Sequence, residues 1–185
     1  MKSKKIGRGK EKGSEFERLV SGDLDKWWGV LPKTFWRTVI SGGWEEPGDI
    51  APRLLPMQGN VDFPIVVECK FYKKIDIFEI VKNPKNDPVL VQWWNQLTAS
   101  QVRAEKMGRT NIIRLLIFKQ NGGPILVGFS FNDGNYYYKN KIRELDAEHI
   151  EIFWKNQTFR DCLFCIMPFS VYISNITKEI ILRKE

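Results

Sequence analysis

The fold of this 185-residue chain centres on the stretch Pro64-Ile65-Val66-Val67-Glu68-Cys69-Lys70. Its unbroken apolar run predicts a strand over residues 65–71 and is typical of a strand buried on both faces. Alternation places Glu68 and Lys70 on one face, about 6.6 Å apart along the strand, and turns Val67 and Cys69 toward the core. Buried charges need partners. Either this pair is functional or it is an ordinary Glu/Lys pair on a strand surface.

A second carboxylate, Asp49, enters another short predicted strand over residues 49–55. That strand can pair back onto the first one through the Gly59-Asn60 turn signal. Its rival Asp62 lies six residues before Glu68, about 20 Å away if extended, and cannot share a metal with it. Asp49 also fits a simple turn role. Two carboxylates and a lysine that converge can hold Mg²⁺ and activate a water beside a phosphate, which points to a metal-dependent nuclease.

Two predicted helices supply further candidates. Residues 13–28 carry apolar side chains at helical spacing, and Glu17 there has two interpretations. It completes a capping box with Ser14, or it leans toward the sheet as a third carboxylate. The helix predicted over residues 89–107 has Gln96 at the border of its apolar stripe and Gln101 within the stripe. Either glutamine could reach the site as a hydrogen-bonding group.

The order of elements predicts an α/β fold with a mixed sheet between helices. A helix, three strands, a helix and two strands follow one another, with the remaining strands expected over residues 34–40, 112–118 and 125–131. We expect a disordered basic arm over residues 1–12, a nuclease core over 13–131 and a C-terminal extension over 132–185. In the extension, a short helix is predicted near 146–156 and strands near 164–173 and 178–183.

Composition narrows the class of protein. The net charge is +7, and residues 1–12 hold six basic groups and one acidic group, so the arm alone carries +5. Such an arm suits phosphate attraction, or it is only a solvated tail. No apolar run could span a membrane, and three cysteines fit a reducing cytoplasm. The single histidine excludes histidine-rich metal sites, and Cys162 with Cys165 lacks the four ligands of a structural zinc site.

These motifs resemble the PD-(D/E)XK nuclease superfamily and, more narrowly, archaeal-type Holliday-junction resolvases and their phage-encoded relatives. The resemblance covers residues 12–131 and has two departures. Gly48 stands in place of the proline before Asp49, and Glu45-Glu46 make a loop acidic that would preferably be basic if it faces DNA. The matching segments are Lys12-Gly13-Ser14-Glu15-Phe16-Glu17-Arg18, Ser41-Gly42-Gly43, Gly48-Asp49-Ile50, Val67-Glu68-Cys69-Lys70, and Trp93-Trp94-Asn95-Gln96 before Leu115-Leu116-Ile117-Phe118-Lys119.

The resemblance implies a restriction-endonuclease-like core that hydrolyses phosphodiester bonds with Mg²⁺ or Mn²⁺ and no small-molecule cofactor. Glu17, Asp49 and Glu68 would ligate the metal, and Lys70 would orient or activate the attacking water. Gln96 is the fifth catalytic candidate. DNA contacts are expected from Lys4, Lys5, Arg8, Lys10, Lys12, Arg18 and Ser41.

Three functions remain open from the sequence. The first is a nuclease that cleaves branched double-stranded DNA, namely four-way junctions. This nuclease would act as a homodimer in the cytoplasm, which is the host cytoplasm if the protein is phage-encoded. The second is a restriction-like or general duplex nuclease, and the third is a non-catalytic basic DNA-binding protein. The abundant aromatic residues suit a dimer interface built from the later strands, or an extension that folds over its own sheet.

Overall fold

The computed structural model describes residues 8–38, 47–53, 61–75, 89–145, 150–154 and 162–183. Within these ranges the helices are α1 (Arg8–Trp28), α2 (Val89–Lys106), α3 (Tyr136–Arg143), α4 (Phe169–Asn175) and α5 (Lys178–Leu182). The strands are β1 (Phe35–Arg37), β2 (Ile50–Pro52), β3 (Ile65–Tyr72), β4 (Ile113–Gln120), β5 (Ile125–Ser130), β6 (Ile150–Trp154) and β7 (Cys162–Pro168).

The described strands form one mixed sheet in the order β1-β2-β3-β4-β5-β7-β6. Only β3 and β4 pair in parallel, and α2 connects them; the other neighbours are antiparallel. A parallel pair needs such a crossover because its strands cannot be joined by a tight turn. The mixed α/β architecture and the predicted order of helix, three strands, helix and two strands are confirmed.

Each face of the sheet is covered by its own helices. On one face α1 and the C-terminal helices pack on Val67, Cys69 and Phe129. On the other face α2 packs on Val66, Leu116 and Phe118. The strand β3 is thus buried on both faces, as its apolar run predicted, and the apolar stripe of α2 lies against the sheet. No helix in the described ranges has the length and apolar character needed to cross a membrane.

The helix α1 begins earlier than the sequence predicted. It starts at Arg8, five residues before Gly13, so residues 8–12 are helical and the expected arm over 1–12 is wrong for them. Gly13 does not end the helix because a glycine costs a helix only about 1 kcal/mol against alanine, which good helix formers around it offset. Residues 1–7 lie outside the described part of the chain.

The C-terminal extension differs most from expectation. Residues 150–154, predicted within a helix, form the strand β6, because their alternation suits pairing with β7. The strand predicted to residue 173 ends at Pro168, and α4 follows because Phe169, Tyr172 and Ile176 bury one face at helical spacing. The strand predicted near 178–183 is the helix α5. The helix α3 was not predicted; its N-cap, Asn135, accepts a hydrogen bond from the Tyr138 backbone N–H.

Other predicted features lie partly outside the described residues. The strand predicted over 34–40 is observed at 35–37, and residues 39–46 with Ser41 are not described. The strand predicted over 49–55 is observed at 50–52, and the Gly59-Asn60 turn is not described. The strands β4 and β5 and the helix α2 match their predicted ranges to within two residues.

Candidate active site

The candidate site is a cavity of about 420 Å³ at the end of β3 where Glu68 and Lys70 lie. Glu17 from α1 and Asp49 from the residue before β2 join them there, and Gln96 of α2 contributes to the wall. The structure therefore brings all five predicted catalytic residues to one place. A position at the carboxyl end of a parallel strand is where ligands commonly bind in α/β sheets.

Backbone bonds to β3 fix Asp49. Its N–H donates to the Val67 carbonyl at 2.7 Å, and its Oδ2 accepts from the Cys69 N–H at 2.8 Å. Gly48 makes this approach possible, because it has a φ of +94° and a Cβ there would lie 2.6 Å from the Val67 oxygen. Proline, fixed near −65°, could not adopt this φ. The departure from the proline of the motif thus has a structural reason.

Glu68 and Lys70 form a close pair. Lys70 Nζ donates to Glu68 Oε1 at 2.5 Å, and Glu68 is 8% exposed. Burial raises the pKa of Glu68 and the charge of Asp49 raises it further, whereas Lys70 and Arg103 lower it. Burial likewise raises the pKa of Asp49, opposed by the Cys69 N–H. Like-charged carboxylates in a largely buried position are destabilised in their ionised form, which a cation would relieve.

Glu17 belongs to the site and not to a helix cap. Ser14, the expected cap, lies inside α1, and its hydroxyl donates to the Lys10 carbonyl at 3.1 Å. Glu17 Oε2 instead accepts from Arg37 Nε of β1. Burial raises the pKa of Glu17, the Arg37 hydrogen bond opposes this, and Asp49 adds to the rise. The capping-box interpretation is therefore wrong.

Other predicted residues stand apart from the cavity. Asp62 is exposed, which agrees with the prediction that Asp49 and not Asp62 is the second carboxylate of the site. The side chain of Gln101 donates a hydrogen bond to Glu105 at 2.8 Å. The side chains of Lys10, Lys12 and Arg18 are exposed along α1. Lys12 lies over the ring of Phe71, at the same end of β3 as Lys70. Lys4, Lys5, Ser41 and the side chain of Arg8 are not described.

Sequence reasoning missed Arg37, Ser100 and Arg103. The alternation of strand residues could have identified Arg37. This arginine shares a face with the buried Phe35, and an arginine on that face at a strand end is unusual. Helical spacing could have identified Ser100 and Arg103. Together with Ala99 they follow Gln96 at three, four and seven residues, and all four residues line the cavity.

The donor set fits a hard divalent cation, since Mg²⁺ prefers carboxylate oxygens. Among the described residues, however, no three metal-binding side chains already stand as a coordination group. Arg37, Lys70 and the Cys69 N–H each engage one of the three carboxylates instead.

A known protein family matches this chain. The model of the family described as "Phage putative PDDEXK endonuclease" matches residues 8–182. The chain belongs to this family. Membership places the protein among the PD-(D/E)XK nucleases, which act on DNA, as the motifs indicated. The match includes most of the C-terminal extension, so the extension is part of the family's fold. No curated protein and no solved structure matches the chain.

Proposed function

We propose that this nuclease is a divalent-metal-dependent endonuclease that hydrolyses phosphodiester bonds in branched double-stranded DNA, with four-way junctions as its substrate. One observation carries the proposal: Glu17, Asp49, Glu68 and Lys70 come from three separate parts of the chain and line one cavity. A purely structural role would not require four charged groups, two of them only 8% exposed, to face the same space.

Glu17, Asp49 and Glu68 are the residues that would hold Mg²⁺ or Mn²⁺. When bound, such an ion polarises a phosphoryl oxygen and lowers the pKa of a bound water. The raised pKa values of the three carboxylates describe the protein without that cation. Glu17 uses one carboxylate oxygen for Arg37, and Glu68 uses one for Lys70, so the second oxygen of each side chain could bind the metal.

The remaining residues act on water and phosphate. Lys70 has three donors and uses one for Glu68, so it would orient the attacking water and stabilise the negative charge that develops at the phosphate. Gln96 carries a side-chain amide that can donate to a phosphate oxygen and accept from that water. Both side chains face the cavity from opposite elements, β3 and α2.

DNA would approach across the N-terminal part of α1. Phe16 of α1 contacts Phe71 of β3 while Trp28 contacts Phe63, so the basic start of α1 lies over the site end of β3. Lys10, Lys12 and Arg18 are exposed there, and Lys4, Lys5, Arg8 and Ser41 would extend this surface. Contacts of this kind supply affinity but carry no sequence information. Junction selectivity then comes from DNA shape. A soluble homodimer in the cytoplasm, with two such sites, fits that task.

The decisive assay compares a four-way junction with a linear duplex of the same sequence, each with Mg²⁺ and with EDTA. We expect cutting of the junction with Mg²⁺ only. Glu68→Gln should lower the rate by about 100-fold or more while DNA binding persists. Asp62→Asn is the matched control, because it removes one exposed carboxylate from the approach to the same strand and should leave the rate near that of wild type.

The other outcomes each identify a different protein. Equal cutting of linear duplex would favour a general or restriction-like nuclease. DNA binding without cutting under any metal would favour a non-catalytic DNA-binding protein. Metal-dependent cutting that survives Glu68→Gln would remove the assigned site altogether.

A further inference from the structure

Arg103 differs from the other cations at the cavity. Arg37 is paired with Glu17, and Lys70 is paired with Glu68. Arg103 lines the same cavity, yet among the described residues its guanidinium makes no ion pair with a carboxylate. Its hydrogen-bond partner is Ser100, whose Oγ accepts from Nη2 at 2.8 Å.

Most of the donors of Arg103 are uncommitted. A guanidinium has five N–H donors, and Ser100 uses one of them. The Nε atom is buried and has no hydrogen-bond partner in the described structure. A buried donor without an acceptor carries a desolvation penalty, which an acceptor from outside the chain would relieve.

The position of Arg103 selects the kind of acceptor. It lies one helical turn beyond Ala99 and two beyond Gln96, on the face of α2 that borders the candidate catalytic carboxylates. The two glutamates at the cavity are paired with Arg37 and Lys70 instead, and Ser100 holds the guanidinium of Arg103 in place from one side. A planar guanidinium with free donors matches the two non-bridging oxygens of a phosphate.

We propose that Ser100 and Arg103 form a phosphate subsite that binds the non-bridging oxygens of the phosphodiester being cut. Ser100 positions the guanidinium, and Arg103 donates to the phosphate, whose negative charge grows in the transition state. This inference rests on the proposed nuclease function and assigns its phosphate ligand to a second element, α2, opposite Lys70 of β3.

The test uses three variants of the full-length protein. Arg103→Gln removes the charge, Arg103→Lys keeps the charge without the fork, and Lys106→Gln removes one exposed charge three residues further along α2 as the matched control. We expect Arg103→Gln to lower kcat about 100-fold, with a smaller change in KM, since the contact strengthens in the transition state. Arg103→Lys should recover part of the loss, and Lys106→Gln should cut at nearly the wild-type rate.

Chemical rescue separates direct contact from a structural role. In Arg103→Ala, millimolar guanidinium chloride should restore part of kcat, and it should not speed the Lys106→Gln variant. All variants should keep the wild-type melting temperature to within a few degrees. A kcat for Arg103→Gln close to wild type would overturn the subsite. So would a loss confined to KM, because the bound phosphate would then be a neighbouring one.

Metal-free binding decides the matter independently of cutting. In EDTA, Arg103→Gln should reduce the slope of log K against log salt by about 0.9, the value of one phosphate contact on duplex DNA. If wild-type protein binds but cuts nothing, the proposed function fails, and this slope still decides on Arg103. An unchanged slope would then overturn the phosphate subsite by itself.

Discussion

Glu17 shows how one side chain can satisfy two patterns and serve only one of them. The spacing from Ser14 fits a capping box, but α1 continues for six residues before Ser14. A carboxylate inside a helix has no free backbone N–H to accept from, so it turns to Arg37 and to the cavity. The residue is therefore available to the site.

Replacing Glu17 distinguishes these roles. We expect Glu17→Gln to lower the cleavage rate about 100-fold or more, because a metal-binding oxygen loses its charge. The melting temperature should fall by only a few degrees, since the amide oxygen can still accept from Arg37. Glu15→Gln, an exposed neighbour on α1, is the control for rate and stability. A large loss of stability with normal cutting would assign Glu17 to the fold instead.

Burial of Glu68 lowers the stability of the metal-free protein when this side chain is ionised. Its pKa is raised by burial and by Asp49, so folding favours the protonated form. The stability that protonated Glu68 contributes is fully present below the pKa of this residue in the unfolded chain. It is lost as the pH rises through the higher pKa of Glu68 in the folded protein. At neutral pH the ionised side chain therefore destabilises the fold.

Melting curves test this directly. At pH 7 without metal, Glu68→Gln should melt a few degrees above wild type, since about 1 kcal/mol shifts a domain of this size by roughly 2–4 °C. Added Mg²⁺ should raise the melting temperature of wild type and leave the variant unchanged, because only wild type gains from ligand binding. Asp62→Asn should behave as wild type in both conditions. A Glu68→Gln variant less stable than wild type without metal would contradict the electrostatic account.

At the scale of elements, the site depends on how closely the segment before β2 approaches β3. Gly48 and Asp49 lie against the Val67 backbone, and Thr38 binds the same segment from the β1 side. Short strands of three residues hold little pairing energy of their own. Contacts at Gly48 therefore decide where the Asp49 carboxylate stands.

Two glycine substitutions make a matched pair. Gly48→Ala places a Cβ 2.6 Å from the Val67 oxygen at a φ of +94°, and should destabilise the protein by about 2 kcal/mol or more and displace Asp49. Gly22→Ala, inside α1 with nothing within 4 Å of the new Cβ, should stabilise it by about 0.5–1 kcal/mol. Urea unfolding and cleavage rates report both. Gly48→Ala with wild-type stability and rate would contradict the close approach.

The sequence correctly predicted the helices and strands that have a clear pattern of apolar residues and a typical length. The strand β3 and the helix α2 were predicted because an apolar run and an apolar stripe leave one solution each. The helix α4 was missed because its residues have high strand propensity. Burial of Phe169 and Tyr172 against β5 and β7 overrides that preference, which only the tertiary structure contains.

The candidate site was predictable to a similar extent. Asp49, Glu68 and Lys70 follow from strand ends and a short motif. The partners of these residues do not, because Arg37 and Arg103 reach the site through the relative placement of β1, α1 and α2. Sequence motifs identify the side chains that carry out the chemistry. The residues that position those side chains can be identified only once the packing of the helices and strands is known.

At the scale of the whole molecule, the extension completes the sheet of this chain. Phe129, Phe169 and Tyr172, three aromatic residues of the later part of the chain, are buried in its own core. The abundance of aromatic residues therefore no longer supports a dimer. The proposal of a dimer rests instead on the open edge of the described sheet at β6 and on the proposed junction cleavage, which needs two coordinated cuts.

We therefore expect an isologous dimer in which β6 of one copy lies beside β6 of the other. Edge strands pair readily with further strands, and a two-fold axis at this edge would extend the sheet across both copies. Between β6 and β3 the sheet has three strands, so the interface lies about 19 Å from Glu68 in the sheet direction and leaves both cavities open.

Light scattering and mixed dimers test this assembly together. At micromolar concentration the particle should have twice the chain mass of 21.7 kDa. Mixing wild type with an excess of Glu68→Gln should convert paired cuts into single nicks, because most active sites then sit beside an inactive one. The same excess of Asp62→Asn should leave paired cuts in place. A 21.7 kDa particle that still resolves junctions by paired cuts would show that each copy acts alone, and the two cuts would then have to come from successive binding events.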